Sequence, residues 1–202
     1  MSVCAWFCKN KKVIFATDKP NKKEMDAIEL LKAGNARFVS GALTQKDDYT
    51  ELRENLSEGQ HPFAVVLCCS DSRLAPEIIF DQKLGDLFVI RNAGNIVDEH
   101  VLGSIKYAVE HLGTSLVVVM GHSCCGAVTA AHHTEVLPDN IMAIVKRIKP
   151  SIDTSCSIDN NARRHAKRMA KLIQDDPVVH HLHAQVTAAF YDIRSGQVEW
   201  EF

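Results

Sequence analysis

Three short stretches of this chain, 63–69 (FAVVLCC), 87–90 (LFVI) and 116–120 (LVVVM), are apolar without alternation. A strand with one wet face alternates polar and apolar residues. A strand covered on both faces does not, and that pattern belongs to parallel sheets held between helices. Between the second and third stretches, 101–112 (VLGSIKYAVEHL) repeats apolar residues at helical spacing and stops at Gly113. Strand, helix, strand in that order makes a crossover unit. The expected class is α/β: one domain with a mainly parallel central sheet flanked by helices.

The flanking segments complete this outline. Asn21 followed by Glu24 resembles a helix start, with Met25, Ile28, Leu30, Leu31 and Phe38 as its apolar stripe and an end near Gly34 or Gly41. Residues 42–61 are polar, with a helical turn or two around Glu51-Leu52-Arg53-Glu54. Segments 126–131, 140–148 and 159–174 read as helices, and Asp176-Pro177 as a cap followed by proline at the first helical position. Segments 186–191 and 198–202 flank a turn at Arg194-Ser195-Gly196 and read as a closing antiparallel hairpin. Residues 1–20 lack a period and are read as an N-terminal arm, irregular or packed on a partner subunit. The domain proper is 21–202.

Composition narrows the function classes. At 202 residues and 46% hydrophobic, the chain is long enough to bury one core. A formal charge of −2, with acids and bases mixed, leaves no basic stripe for nucleic acid. No apolar stretch approaches the roughly 20 residues that span a bilayer. The first residues, MSVCAWFC, make a poor signal peptide. Of seven cysteines, four fall in the adjacent pairs Cys68-Cys69 and Cys124-Cys125. That is not a secreted disulfide framework, so a reducing, cytoplasmic setting is expected.

The chemistry concentrates in two clusters. Cys69-Ser70-Asp71-Ser72-Arg73 ends the first apolar stretch, and His122-Ser123-Cys124-Cys125 follows the third. In open α/β sheets, ligand sites form beyond the carboxyl ends of the strands. Gly121 and Gly126 bracket the second cluster and permit a tight turn from strand to helix. Two thiolates and one imidazole suit zinc, and three protein ligands leave a fourth position open. Neighbouring residues on a strand face opposite ways, so only one of Cys68 and Cys69 serves a given ion. Spacing does not choose between them, nor between Cys124 and Cys125. Asp71 and Arg73 add an acid and a base that a structural zinc knot does not require.

These two signatures, the stretch 85–95 (GDLFVIRNAGN) between them, and Gly103-Ser104-Ile105-Lys106-Tyr107 together resemble the β-class carbonic anhydrases over roughly residues 24–202. The resemblance implies Zn2+ held by Cys69, His122 and Cys125, with Cys68 and Cys124 as bystanders. It implies Asp71 and Arg73 as catalytic residues, with Asp71 as a fourth zinc ligand in a closed state. Gln60, Phe88, Ala93 and Tyr107 are the implied substrate-binding residues, Tyr107 arriving from a neighbouring subunit; the Gly126 N–H, at a helix start, is expected to serve as an anion donor. Val66 stands where some members carry a tryptophan tied to a second bicarbonate site, which argues against that regulation. The implied activity is reversible hydration of carbon dioxide to bicarbonate and a proton, in a homo-oligomer that is a dimer or a dimer of dimers. Two thiolates put more negative charge on the ion than imidazoles would, favouring activity on the alkaline side. One alternative is hydrolysis of carbonyl sulfide or carbon disulfide at the same zinc site. Another is a non-catalytic bicarbonate-sensing zinc module, against which Asp71, Arg73 and Gln60 weigh. His132-His133, His165 and His180-His181-x-His183 are read as solvated or capping, and Cys4-x-x-x-Cys8 as part of a loose tail.

Overall fold

The computed structural model describes residues 26–44, 49–133, 137–200 and 202; the arm assigned to 1–20 lies outside them. Strands β1 (Ala64–Cys69), β2 (Leu87–Asn92), β3 (Leu116–His122), β4 (Gln185–Tyr191) and β5 (Val198–Glu199) form one sheet in the order β2-β1-β3-β4-β5. The first four run parallel, and β5 pairs antiparallel with Phe190 and Tyr191 of β4. Every residue of β1 and β3 is buried, which is why their sequences show no alternation.

Among the described residues eight α-helices accompany the sheet: α1 (Ala27–Ser40), α2 (Tyr49–Leu56), α3 (Pro76–Ile79), α4 (Glu99–His111), α5 (Gly126–His132), α6 (Asp139–Ile148), α7 (Ile158–Gln174) and α8 (Pro177–His181). The strand pleat divides the core in two. Val66, Val118 and Cys68 pack with Leu31, Phe80, Ile148 and Phe190 on one face. Val65, Leu67, Val117 and Val119 pack with Ile105, Val109, Met169 and Ile173 on the other. Among the described residues, no helix is long and apolar enough to cross a membrane.

The structure departs from the sequence outline in several places: α3 has no counterpart in it, and the closing strand is confined to Val198–Glu199. The first helix is capped by Asp26, whose Oδ1 accepts the Ile28 N–H at 3.3 Å, and of its two expected ends it takes Gly41 (φ 71°). Asn21 and Glu24 lie outside the described residues. Gly34 is a contact rather than a stop: a Cβ there would stand 1.8 Å from the Phe80 carbonyl oxygen, so α1 sits directly on the end of α3. Finally, β2 and β3 outrun their apolar stretches, because pairing continues through Cys69 opposite Asn92 and His122 opposite Tyr191. Backbone hydrogen bonding does not require apolar side chains, and the polar ends of these strands carry the site.

Candidate metal centre

Cys69 is the last residue of β1, His122 the last of β3, and Cys125 the cap of α5. Cys68 pairs with Met120, so the two central strands finish at nearly one level and deliver their terminal side chains to one place. There the Sγ atoms of Cys69 and Cys125 and a ring nitrogen of His122 lie within 4.8 Å of one another, all three residues buried. Among the described residues no other His, Cys, Asp or Glu group converges in this way. Cys68 points elsewhere; burial pushes its thiol up to about 12, against the pull of the nearby Arg91. Cys124 is exposed at φ 55°, and its N–H is taken by Asp159 Oδ1 at 2.8 Å.

Each donor is held from behind. His122 Nδ1 lies 2.9 Å from the Ser123 carbonyl, which can only accept, so this nitrogen carries the proton. Nε2 is left with a lone pair, buried and without a partner. Buried polar atoms are ordinarily satisfied, and an imidazole oriented through its other nitrogen is the usual posture of a metal ligand. The other unpartnered buried atom among the described residues, Asn95 Nδ2, is a donor and cannot take a cation. Cys69 Sγ accepts the Gly94 N–H at 3.3 Å. A hydrogen bond from the Cys125 thiol helps draw Cys69 well below the usual thiol range. The same bond and burial hold Cys125 up, opposed by the Ala127 and Val128 N–H groups at the start of α5. A soft cation bound between the two sulfurs would take the place of a proton there. Two sulfurs and one imidazole fit zinc with a position to spare.

Asp71 and Arg73 sit at the mouth. Arg73 Nε donates to Asp71 Oδ1 at 2.8 Å and Nη2 to Oδ2 at 2.7 Å, while the Arg73 N–H adds a bond to Oδ1 at 3.0 Å. This fork holds the Asp71 carboxyl far below the usual carboxylate range. The carboxylate belongs to that pair and not to the three converging donors. Arg91 binds the carbonyls of Asp71 (2.7 Å) and Cys69 (3.3 Å), tying the acid's loop to the first thiol.

Of the remaining candidates, Ala93 lies in a 3-10 turn (Ala93–Asn95) beside Gly94, and Gly126 opens α5 next to Cys125. Gln60, Phe88 and Tyr107 are not brought there by a single chain. Gln60 is exposed and precedes the opposite, amino end of β1. Phe88 pairs with Val65, four residues below the Cys69–Asn92 level, or about 13 Å along the strand. Tyr107 is 46% exposed on α4, with its ring 6.5 Å from that of Phe88. His180, His181 and His183 are exposed, as expected. His165 is not: it is fully buried and bonds Gly94 and Ser151, correcting its reading as a solvated or capping residue. The signal was available, since Ala162, Ala166 and Met169 place position 165 on the buried stripe of α7.

A family model described as carbonic anhydrase matches residues 64–198. The carbonic anhydrase of Mycolicibacterium smegmatis is 48% identical over 137 residues, spanning 66% of each protein, just under two thirds of the relative's length. Carbonic anhydrase 2 of Mycobacterium tuberculosis is 42% identical over 163 residues, 76% of this chain and 79% of the relative. A tetrameric β-carbonic anhydrase structure from Sordaria macrospora superposes with a TM-score of 0.70 at 26% identity, covering 74% of this chain and 85% of that one. With the family match running over more than half its length and the fold shared with β-class structures, the chain belongs to the β-carbonic anhydrase family.

Proposed function

We propose that this protein catalyses the reversible hydration of carbon dioxide to bicarbonate and a proton, with zinc held by Cys69, His122 and Cys125. The observation that carries the reading is the buried convergence of two thiols on an unpartnered imidazole nitrogen. Zinc in such a site supplies a Lewis acid that makes water a nucleophile near neutral pH.

The chain's own residues supply orientation. Asp71 Oδ1 already accepts two N–H groups and Oδ2 only one, so Oδ2 is the freer acceptor for a hydrogen of the attacking water. Arg73 keeps the carboxylate ionised and fixed. For Asp71 to become a fourth ligand in a closed state, it must give up these bonds. The first N–H of a helix has no intrahelical acceptor, which fits Gly126 for bicarbonate. Ala93 contributes an apolar edge.

Gln60, Phe88 and Tyr107 reach such a pocket only from another copy of the chain, so we infer a homo-oligomer, a dimer or dimer of dimers. The tetrameric relatives support it. The described cysteines are all free, which supports the cytoplasmic reading. Relatives named carbonic anhydrase at 42–48% identity favour carbon dioxide over carbonyl sulfide or carbon disulfide. The Asp71–Arg73 pair argues against a bare sensor.

The test is stopped-flow carbon dioxide hydration from pH 6.5 to 9 on zinc-quantified protein, beside Asp71→Asn and with carbon disulfide as a second substrate. Wild-type turnover that collapses in Asp71→Asn is expected, and onset only above about pH 8 would mark the closed form. No turnover at any pH with stoichiometric zinc would overturn the reading.

A further inference from the structure

We propose that His165 is a positioning residue for the metal centre: through Gly94 it aims the backbone N–H that holds the Cys69 sulfur. The inference rests on reading Cys69, His122 and Cys125 as a metal site. His165 belongs to α7, remote in sequence from either cluster, and touches no metal donor itself. Its Nε2 lies 2.8 Å from the Gly94 carbonyl and its Nδ1 3.1 Å from Ser151 Oγ. A carbonyl only accepts, so Nε2 carries the proton and Nδ1 accepts from the Ser151 hydroxyl. Partners therefore fix the tautomer. Burial, with help from the Arg168 charge, lowers the imidazole pKa to about 4, so these roles hold at neutral pH.

Gly94 is the link. It is buried at φ 74°, and Asn95 after it is also left-handed at φ 41°. A Cβ at Gly94 would meet Ile148 Cδ1 at 2.6 Å and Ala127 Cβ at 3.0 Å, so the turn is tight as well as left-handed. In this conformation the Gly94 N–H reaches Cys69 Sγ while its carbonyl faces α7. The turn is gripped elsewhere too: Asn92 bonds both the N–H and the carbonyl of Ile96 at 2.8 Å, and Met169 Sδ accepts the Val97 N–H at 3.3 Å. Within this turn, His165 grips the residue whose N–H reaches the Cys69 sulfur. Without it, a buried carbonyl loses its partner and the Gly94 peptide is free to rotate away. An N–H bonded to a metal thiolate withdraws charge from the sulfur and fixes its direction, and outer partners of this kind govern metal affinity.

Two amide replacements separate positioning from filling. In His165→Gln the side-chain nitrogen matches Nε2 and reaches Gly94; in His165→Asn it matches Nδ1 and falls short. Each is loaded with Co2+, and three quantities are read: the thiolate-to-cobalt charge-transfer band, the rate of metal release to a chelator, and the melting midpoint of metal-free protein. His165→Asn should move the band to longer wavelength and release metal about 10-fold faster, with His165→Gln restoring both. A lowered midpoint in both variants, with band and release rate as in wild type, would reduce His165 to packing and overturn the proposal. If His165→Asn does not fold, Ser151→Ala loosens the tautomer and should speed release about threefold in the same assay; an unchanged rate overturns it equally. A wild-type protein with no thiolate band would sink the metal reading and this inference together, whereas a wild-type band unchanged in His165→Asn sinks the inference alone.

Discussion

His165 makes the fold itself sensitive to mild acid. The ordinary histidine value of 6.5 applies to the unfolded chain, while burial holds the folded value near 4. Below pH 6.5 the unfolded chain takes up a proton that the folded protein refuses until about pH 4. Stability from this residue is therefore complete above pH 6.5 and falls as the pH drops through that window. At 1.36 kcal/mol per pKa unit, the loss between pH 7.5 and pH 5 is about 2 kcal/mol, approaching 3 kcal/mol near pH 4. Other acid-sensitive groups contribute as well, the Cys69–Cys125 pair among them, so the comparison must be differential. Urea unfolding of metal-free wild type and His165→Gln at pH 7.5 and pH 5 isolates the residue, because glutamine is neutral throughout. The wild type should lose about 2 kcal/mol more than the variant over that interval. Parallel losses within about 0.5 kcal/mol would refute the reasoning, since His165 would then titrate alike in both states.

Metal analysis of purified variants should find zinc lost in Cys69→Ser and Cys125→Ser. It should remain near one per chain in Cys124→Ser, whose side chain lies outside the converging group. Gly94→Ala combines a left-handed φ with overpacking against Ile148 and Ala127, costing about 2–5 kcal/mol in urea unfolding. Gly103→Ala, on α4 with nothing within 4 Å of a new Cβ, should instead gain about 0.5–1 kcal/mol. A Gly94→Ala protein as stable as wild type would show that the turn beneath Cys69 has room to relax.

The elements most legible in the sequence were those whose physics is local. Doubly covered strands read as unbroken apolar runs, and β1 and β3 are buried along their whole length. The two halves of the candidate metal centre read clearly because each occupies a single turn at a strand end. What could not be read depends on partners far along the chain. His165 meets Gly94 across 71 residues, and nothing near position 165 names that contact. Gly34 looked like a stop because its role, the approach of α1 to Phe80, is tertiary. Alternation separates Cys68 from Cys69, but which face meets His122 depends on how α5 leaves β3.

The location of the site follows from the strand order. The chain leaves β1 for β2 on one side of the sheet and leaves β3 for β4 on the other. At the carboxyl edge, the connections therefore part between β1 and β3, and no loop covers the seam from both sides. Such a divergence leaves a crevice at the topological switch point of any open parallel sheet. Here the two strands that border the crevice end in Cys69 and His122, and α5 begins by turning Cys125 back toward them. Topology thus supplies a cleft of no particular chemistry. The soft donors suit it to a cation, and the Asp71–Arg73 fork, with Arg91 bonded to the Cys69 carbonyl, sets an ionised carboxylate beside that cluster, as the proposed chemistry requires.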